Sequence, residues 1–441
     1  MMTRLRFAHQ DGGHLNLSQL RKAFLTYLIS RKLRGSFIFR LDNVMRSEED
    51  GMTTNLFALE DLDWLGLIAD ESPLNPNPGL SPYVQNERLD IYQRYIDALL
   101  AVGAAYKRVP PKEKGSPLGA FRPATYFKMR ALGETKINDL RIGKVTDDKL
   151  NLNDWIIAGS NGLPSEEFAA IIDDHLMGIS HVVFELTNLP NLGRYVALNR
   201  ALNWQLPTFI HISIGKTNRD FDEKILNLLK KNGYLPEAIC SYLYRLDVDD
   251  NKADYRMNME QIVNSFEIDN IRTDHQLFDE KILRKINSVF IKTMKTSDYT
   301  AFMRPFIQPF ISEEYSDDFL LKLALVFQNQ ISYGREIEEF IAPFLLQDPD
   351  FTPREQQIIS NPQAQSVLSS FYERLANCDD DLTNVASLLD ETQKKTGIAG
   401  KAFYQPLRLL LTRMEKGPEL EEIIKFLGKA ETLRRLSQDK D

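Results

Sequence analysis

The sequence predicts an α/β amino-terminal part built on a parallel sheet, interrupted by a small insertion, and an all-α carboxy-terminal part. Three observations carry this expectation. The first forty residues read as strand, turn, helix, strand. Apolar strand-like runs return at Trp155-Ile156-Ile157 and His181-Val182-Val183-Phe184, so the sheet is expected to resume there after a break. Beyond about Tyr234 the strand signals vanish and helical periodicity takes over.

Leu5 to Ala8 is a short strand candidate, Asp11-Gly12-Gly13 a tight turn, and Leu17, Leu20, Phe24, Tyr27 and Leu28 fall on one helix face. Ser36 to Leu41 supplies the second strand. A strand, a glycine turn and a helix in that order can present backbone amides to a phosphate, although a plain structural turn satisfies the same pattern. A helix with Leu56, Leu59 and Leu62 follows, then a Pro and Asn-rich loop from Ser72 to Pro82, then a helix from Asn86 to Val102. Near the other end, Thr352-Pro353-Arg354-Glu355 reads as a capping box with proline at the first helical position, and Gly417-Pro418 separates two helices.

A chain of 441 residues exceeds what one hydrophobic core usually organises. Its apolar fraction of 43% and charged fraction of 26% are those of a globular protein rather than a disordered or fibrous one. Cys240 and Cys378 stand far apart and by themselves build neither a disulfide framework nor a four-ligand zinc site. No run approaches ~18 uninterrupted apolar residues and no secretory leader is read at the start, so a cytoplasmic protein without a membrane span is expected. The net charge of −8 hides a basic island: between Lys107 and Lys144 ten Lys or Arg face Glu113, Glu134 and Asp139. That island reads as a phosphate-contacting surface or as a solvated hairpin.

Several strings then carry a resemblance. Arg6-Phe7-Ala8, Arg40-Leu41-Asp42, Trp64-Leu65-Gly66-Leu67 and Gln85 to Tyr92 come first. Asp173 to Val182, Gly233 to Ala238, Gln405-Pro406-Leu407-Arg408 and Gly417-Pro418-Glu419-Leu420 follow in the same order. Over almost the whole length the chain resembles the glutamyl-tRNA synthetase family of class I aminoacyl-tRNA synthetases. The resemblance implies an α/β Rossmann-type catalytic domain with an inserted acceptor-end domain, followed by an all-α anticodon-binding-like region. It divides the chain into Rossmann halves at 1–106 and 131–235, a truncated basic insertion at 107–130, a helical stem-contact region at 236–310 and an anticodon-binding-like region at 311–441. It also implies ATP with Mg, a glutamate-type tRNA as partner, and a monomer. The family's Cys-x-Cys region after Tyr106 is absent, so no zinc and no other structural metal is expected.

The implied chemistry brings a carboxylate onto the α-phosphate of ATP, which requires preorganised donors and cations. Where the family has its HIGH motif, this chain has Asn16-Leu17-Ser18-Gln19; Asn16 can cap a helix but cannot carry positive charge. Lys216-Thr217-Asn218-Arg219-Asp220 falls on the KMSKS motif, with Lys216 kept and Arg219 supplying the second charge. Arg6 resembles the binder of the substrate side-chain carboxylate and Asp42 that of the amine; both also read as a structural pair near the sheet edge. Ser165-Glu166-Glu167 replaces Thr-Tyr-Asn, and Phe184 replaces an arginine of the family, so the pocket loses a cation and gains carboxylates. His175 reads as a satisfied core histidine. Lys107, Arg108, Lys112, Lys114, Lys394, Lys395, Arg408 and Arg413 are the candidate tRNA contacts.

With these donors replaced, glutamate activation is expected to fall by at least ~10⁴. The sequence therefore predicts a glutamyl-tRNA synthetase-like, tRNA-binding protein with impaired or lost glutamate activation. A divergent but working glutamate-tRNA ligase and a ligase for a different amino acid are the alternatives.

Overall fold

A computed structural model of the chain describes residues 2–10, 12–44, 56–109, 123–129, 137–146, 149–214, 225–250, 254–274, 276–345, 351–378 and 382–437. It divides into two compact units, one of Met1–Leu229 with Pro236–Glu280 and one of Lys230–Leu235 with Lys281–Asp441.

In the first unit, strands β1 (Arg4–His9), β2 (Ser36–Leu41), β3 (Ala105–Arg108), β4 (Ala124–Phe127), β5 (Ile137–Asp139), β6 (Gly143–Val145), β7 (Trp155–Ala158), β8 (His181–Glu185) and β9 (Thr208–Ile212) form two sheets. The larger runs β2-β1-β8-β9-β5-β6, with β1 parallel to β2 and β8, and β9 parallel to β8 and β5; only β6 is antiparallel. β1 and β2 are buried almost throughout, as strands covered on both faces must be, which explains their continuous apolar runs. The smaller sheet, β3-β4-β7, is antiparallel. Trp155–Ala158 is therefore a strand as expected, but it belongs to this second sheet and does not resume the first. A short apolar run shows that a strand forms, not which edge receives it.

Helices α1 (Leu17–Lys32), α2 (Phe57–Trp64), α3 (Leu89–Ala101), α4 (Glu166–Leu176) and α5 (Leu192–Ala201) accompany the strands. The residues read on one face of α1, Leu17, Leu20, Phe24, Tyr27 and Leu28, are all buried; Ala23, Leu25 and Ile29 are buried as well, together with Arg21, whose charge is held by Asp247 at 2.5 Å. Helices α6 (Ile225–Asn232), α7 (Pro236–Asp247) and α8 (Met259–Ser265) follow.

The second unit continues with α9 (Glu280–Lys292), α10 (Thr296–Ile307), α11 (Asp317–Val326), α12 (Ile337–Leu345), α13 (Pro353–Ile359), α14 (Pro362–Ala376), α15 (Val385–Thr396), α16 (Lys401–Thr412) and α17 (Leu420–Ser437). The capping box read at Thr352 and Glu355 is present in both directions. Gly233 has φ +79, and a Cβ there would sit 2.5 Å from the Phe306 ring, so only glycine fits this crossing.

Candidate active site

In the larger sheet the chain runs outward from β1 to β2 on one side and from β8 to β9 on the other. The order reverses between β1 and β8, and a crevice opens outside the carboxyl ends of strands at such a switch point. A pocket of about 420 Å³ lies there. Arg6, Ala8 and His9 of β1 and Phe184 and Glu185 of β8 line it, with Gln19 and Lys22 of α1, Asp42, Glu166, Glu167 and Tyr195.

Beneath the pocket lies a buried ionic network. The Arg6 guanidinium donates through Nε and Nη2 to both Asp174 carboxylate oxygens, at 3.0 and 3.1 Å. Arg40 donates twice to Asp42, at 2.6 and 2.9 Å, and once to Asp174 at 2.8 Å. The Tyr195 hydroxyl adds a bond to Asp174 at 3.0 Å. Neighbouring Asp173 accepts from Arg88, Tyr92 and Gln85 at 2.7, 2.7 and 3.0 Å. A charge this deep survives only if paired and fully hydrogen-bonded. Burial works against the Asp174 anion, yet Arg6 and then Arg40 outweigh it and hold its carboxyl below the usual range. For Asp173 burial wins over Arg40 and Arg88, and the carboxyl is pushed up. Arg6 and Asp42 thus do not pair with each other; each is claimed by a different partner.

The pocket walls differ in character. Phe184 lies 5.7 Å from the Arg6 guanidinium and packs on Tyr195, Phe209 and His211. Glu166 and Glu167 open α4 after the N-cap Ser165, where the helix dipole favours acids. Gln10 donates to Glu166 at 2.7 Å and Arg194 to Glu167 at 2.7 Å. Burial pushes the Glu167 carboxyl up in spite of Arg194. Lys22 is half-buried; burial first, then Arg6, lowers its pKa, with Glu185 and Asp42 opposing.

At the start of α1, Asn16 and Gln19 close a reciprocal capping box: the Asn16 side chain accepts from the Gln19 amide at 2.8 Å, and the Gln19 side chain accepts from the Asn16 amide at 3.0 Å. Gly12, at φ +66, donates its amide to His9 Nδ1 at 3.0 Å.

Two family models cover this chain. The catalytic domain of class I tRNA synthetases (E and Q) matches residues 2–116 and 124–285, and the anticodon binding domain matches residues 299–439. The chain belongs to the class I glutamyl and glutaminyl tRNA synthetase family. It is 30% identical to a glutamate-tRNA ligase of Halalkalibacterium halodurans, over 98% of each chain. It is 28% identical to that of Geobacillus stearothermophilus, over 99% of this chain and 98% of the other. A crystal structure of a glutamate tRNA ligase from Elizabethkingia meningosepticum, in complex with its amino acid, superposes with a TM-score of 0.83 at 22% identity, covering 99% of both. The Elizabethkingia anophelis enzyme gives 0.80 at 22% over the same shares. The last two similarities establish the fold, an α/β part followed by a helical part.

Seen against the family, the structure gathers Arg6, Asp42, Glu166, Phe184 and Gln19 around one pocket, whereas Asn16 is not among its lining residues. Lys216 and Arg219 lie outside the described residues, as do Lys112 and Lys114. The family works with ATP and Mg. The Asn16 and Gln19 side chains are bound to each other's backbone, and neither is cationic. Among the described residues no group of three metal-ligating side chains converges.

Lys107 and Arg108 stand exposed at the end of β3. In the second unit Lys394 pairs with Asp390 at 2.5 Å and Lys395 with Glu373 at 3.4 Å. Arg408 donates to the Pro418 carbonyl at 2.5 Å, and Arg413 caps α16 at φ +63 with its guanidinium 4.5 Å from the Phe351 ring. His175 is not the core histidine expected: it is exposed and stacked on Trp204 at 3.7 Å. The residues sequence reasoning passed over are Lys22 and Asp174. Lys22 follows Gln19 by three positions and so shares its helix face, a signal that was there to be used. Asp174 stood inside the string Asp173 to Val182, but nothing local marked it as the partner of Arg6 and Arg40.

Proposed function

We propose that this chain binds tRNA on a glutamyl-tRNA synthetase scaffold and that its pocket does not activate glutamate at useful rates. One observation carries the reading: the guanidinium matched to the substrate carboxylate is closed, fork to fork, on Asp174, and the second arginine of the family is replaced by Phe184. A carboxylate entering the pocket would compete with a built-in bidentate partner while facing Glu166 and Glu185. The phosphate side adds to this, since the capping box at Asn16 and Gln19 offers no cation.

On this reading Lys107, Arg108, Lys112, Lys114, Lys394, Lys395, Arg408 and Arg413 contact RNA, with the insertion at 107–130 on the acceptor end and 311–441 on the anticodon side. The protein works in the cytoplasm as a monomer. The decisive experiment is glutamate-dependent ATP-pyrophosphate exchange with and without tRNA, beside tRNA binding across salt concentrations. Exchange at background with salt-steep tRNA binding is the expected result. Charging of tRNA with glutamate at rates typical of the named relatives would overturn it. The second reading, a divergent working ligase, is favoured by one feature: Arg6 still lines a pocket of about 420 Å³ at the switch point.

A further inference from the structure

Lys22 lines the pocket from α1, and among the described residues its ammonium makes no hydrogen bond and no ion pair within 4.0 Å. It feels Glu185 and Asp42 only at longer range, while Arg6 repels it. A half-buried ammonium lining a cavity without a counter-ion is an incomplete pair. The rest of the pocket charge can be followed group by group. Arg6 is neutralised by Asp174, Asp42 by Arg40, and Glu167 by Arg194. Among the described residues, those left facing the cavity are one cation, Lys22, and two anions: Glu185, whose carboxylate makes no hydrogen bond, and Glu166, which is held only by the neutral amide of Gln10. The unmatched lining among the described residues therefore has one positive pole and two negative poles, with one negative charge in excess.

We propose that this pocket takes a free α-amino acid with a cationic side chain, its carboxylate on Lys22 and its ammonium and side-chain cation toward Glu185 and Glu166. This assignment rests on the reading that the pocket does not serve glutamate. Such a ligand carries one anion, two cations and a net charge of +1, which complements the lining pole for pole. A dicarboxylate reverses one of those poles and meets Glu166 or Glu185 with like charge. A volume of about 420 Å³ suits a ligand of this size.

The test is isothermal titration of the full chain with L-arginine, L-lysine, L-glutamine, L-glutamate and agmatine, which is arginine without its carboxylate. Arginine or lysine should bind, and glutamine and agmatine should each bind at least about tenfold more weakly, because each lacks one charged pole. Lys22→Gln should weaken arginine by about tenfold and leave agmatine unchanged. Glu166→Gln with Glu185→Gln should erase the preference for arginine over glutamine. Glutamate or agmatine binding as tightly as arginine would overturn the proposal, and so would the failure of both basic amino acids to bind the unmodified protein. Pyrophosphate exchange run on the same sample separates the two failures. Glutamate-dependent exchange removes the functional reading and this assignment together, whereas background exchange without any binding of arginine or lysine removes only the assignment.

Discussion

In the first unit Arg6, Arg21, Arg40 and Arg88 are at most 6% exposed; the first three each grip an aspartate with two hydrogen bonds, and Arg88 gives one to Asp173 and its others to the Leu80 and Pro82 carbonyls. In the second unit pairs such as Lys394 with Asp390, Lys395 with Glu373 and Arg304 with Asp317 stand in solvent on helix surfaces. The difference is one of availability. A buried pair leaves its partner stranded when opened, so Arg6 is held for the fold before it can serve a ligand. A surface pair is weak and screened, so its lysine can exchange a carboxylate for a phosphate at little cost. Family membership alone would treat Arg6 and Lys394 alike as ligand-facing cations. Their surroundings separate them.

The largest expected effect tests the buried side of this contrast. Asp174→Ala removes the acceptor of Arg6, Arg40 and Tyr195 at once and should cost about 3–5 kcal/mol in urea unfolding; a loss under ~1 kcal/mol would mean that the network is not a structural keystone. Next comes acid sensitivity. Burial opposes the Asp139 anion, but the 2.7 Å bond from His211 and the Ile142 and Arg141 amides hold its carboxyl below the usual value. The resulting stability is fully present above the unfolded aspartate value of about 4 and is lost as pH falls through the lower folded value. Other depressed carboxyls, Asp174 and Glu71 among them, titrate in the same window, so the difference between the unmodified protein and Asp139→Asn is the readout. A variant whose acid limb matches the parent would break this account.

Asn16→Ala opens the α1 capping box and should cost about 1 kcal/mol. It should also leave tRNA binding untouched, and a changed tRNA affinity would return Asn16 to the ligand site. The smallest stability effect belongs to the second unit: Lys394→Ala with Lys395→Ala should leave the urea midpoint where it is. The log-log salt slope of tRNA binding should nevertheless fall by about one for each lysine that contacts phosphate. An unchanged slope would assign both lysines to an ordinary solvated surface.

Much of the architecture was legible because periodicity reports local structure. The opening strand, α1, the capping box at Thr352 and the helical second unit follow from alternation, 3.6-residue spacing and turn chemistry. Two readings failed for one reason. Trp155–Ala158 joined the small sheet, and His175 stands exposed against Trp204 instead of in the core, because strand partners and packing neighbours come from distant segments. The site was legible in part: Arg6, Asp42, Glu166, Phe184 and Gln19 do line one pocket, and Asn16 does cap a helix.

What the sequence settles unaided is chemical identity and order: which groups are charged, and which runs become strand or helix. Whether a charged group faces a ligand is decided only on folding. Arg6 meets Asp174 across 168 residues of chain, and Lys22 is left without an ion pair among the described residues. Coulomb energies depend on distance and burial, and neither exists until the sheet has brought β1, β2 and α4 together.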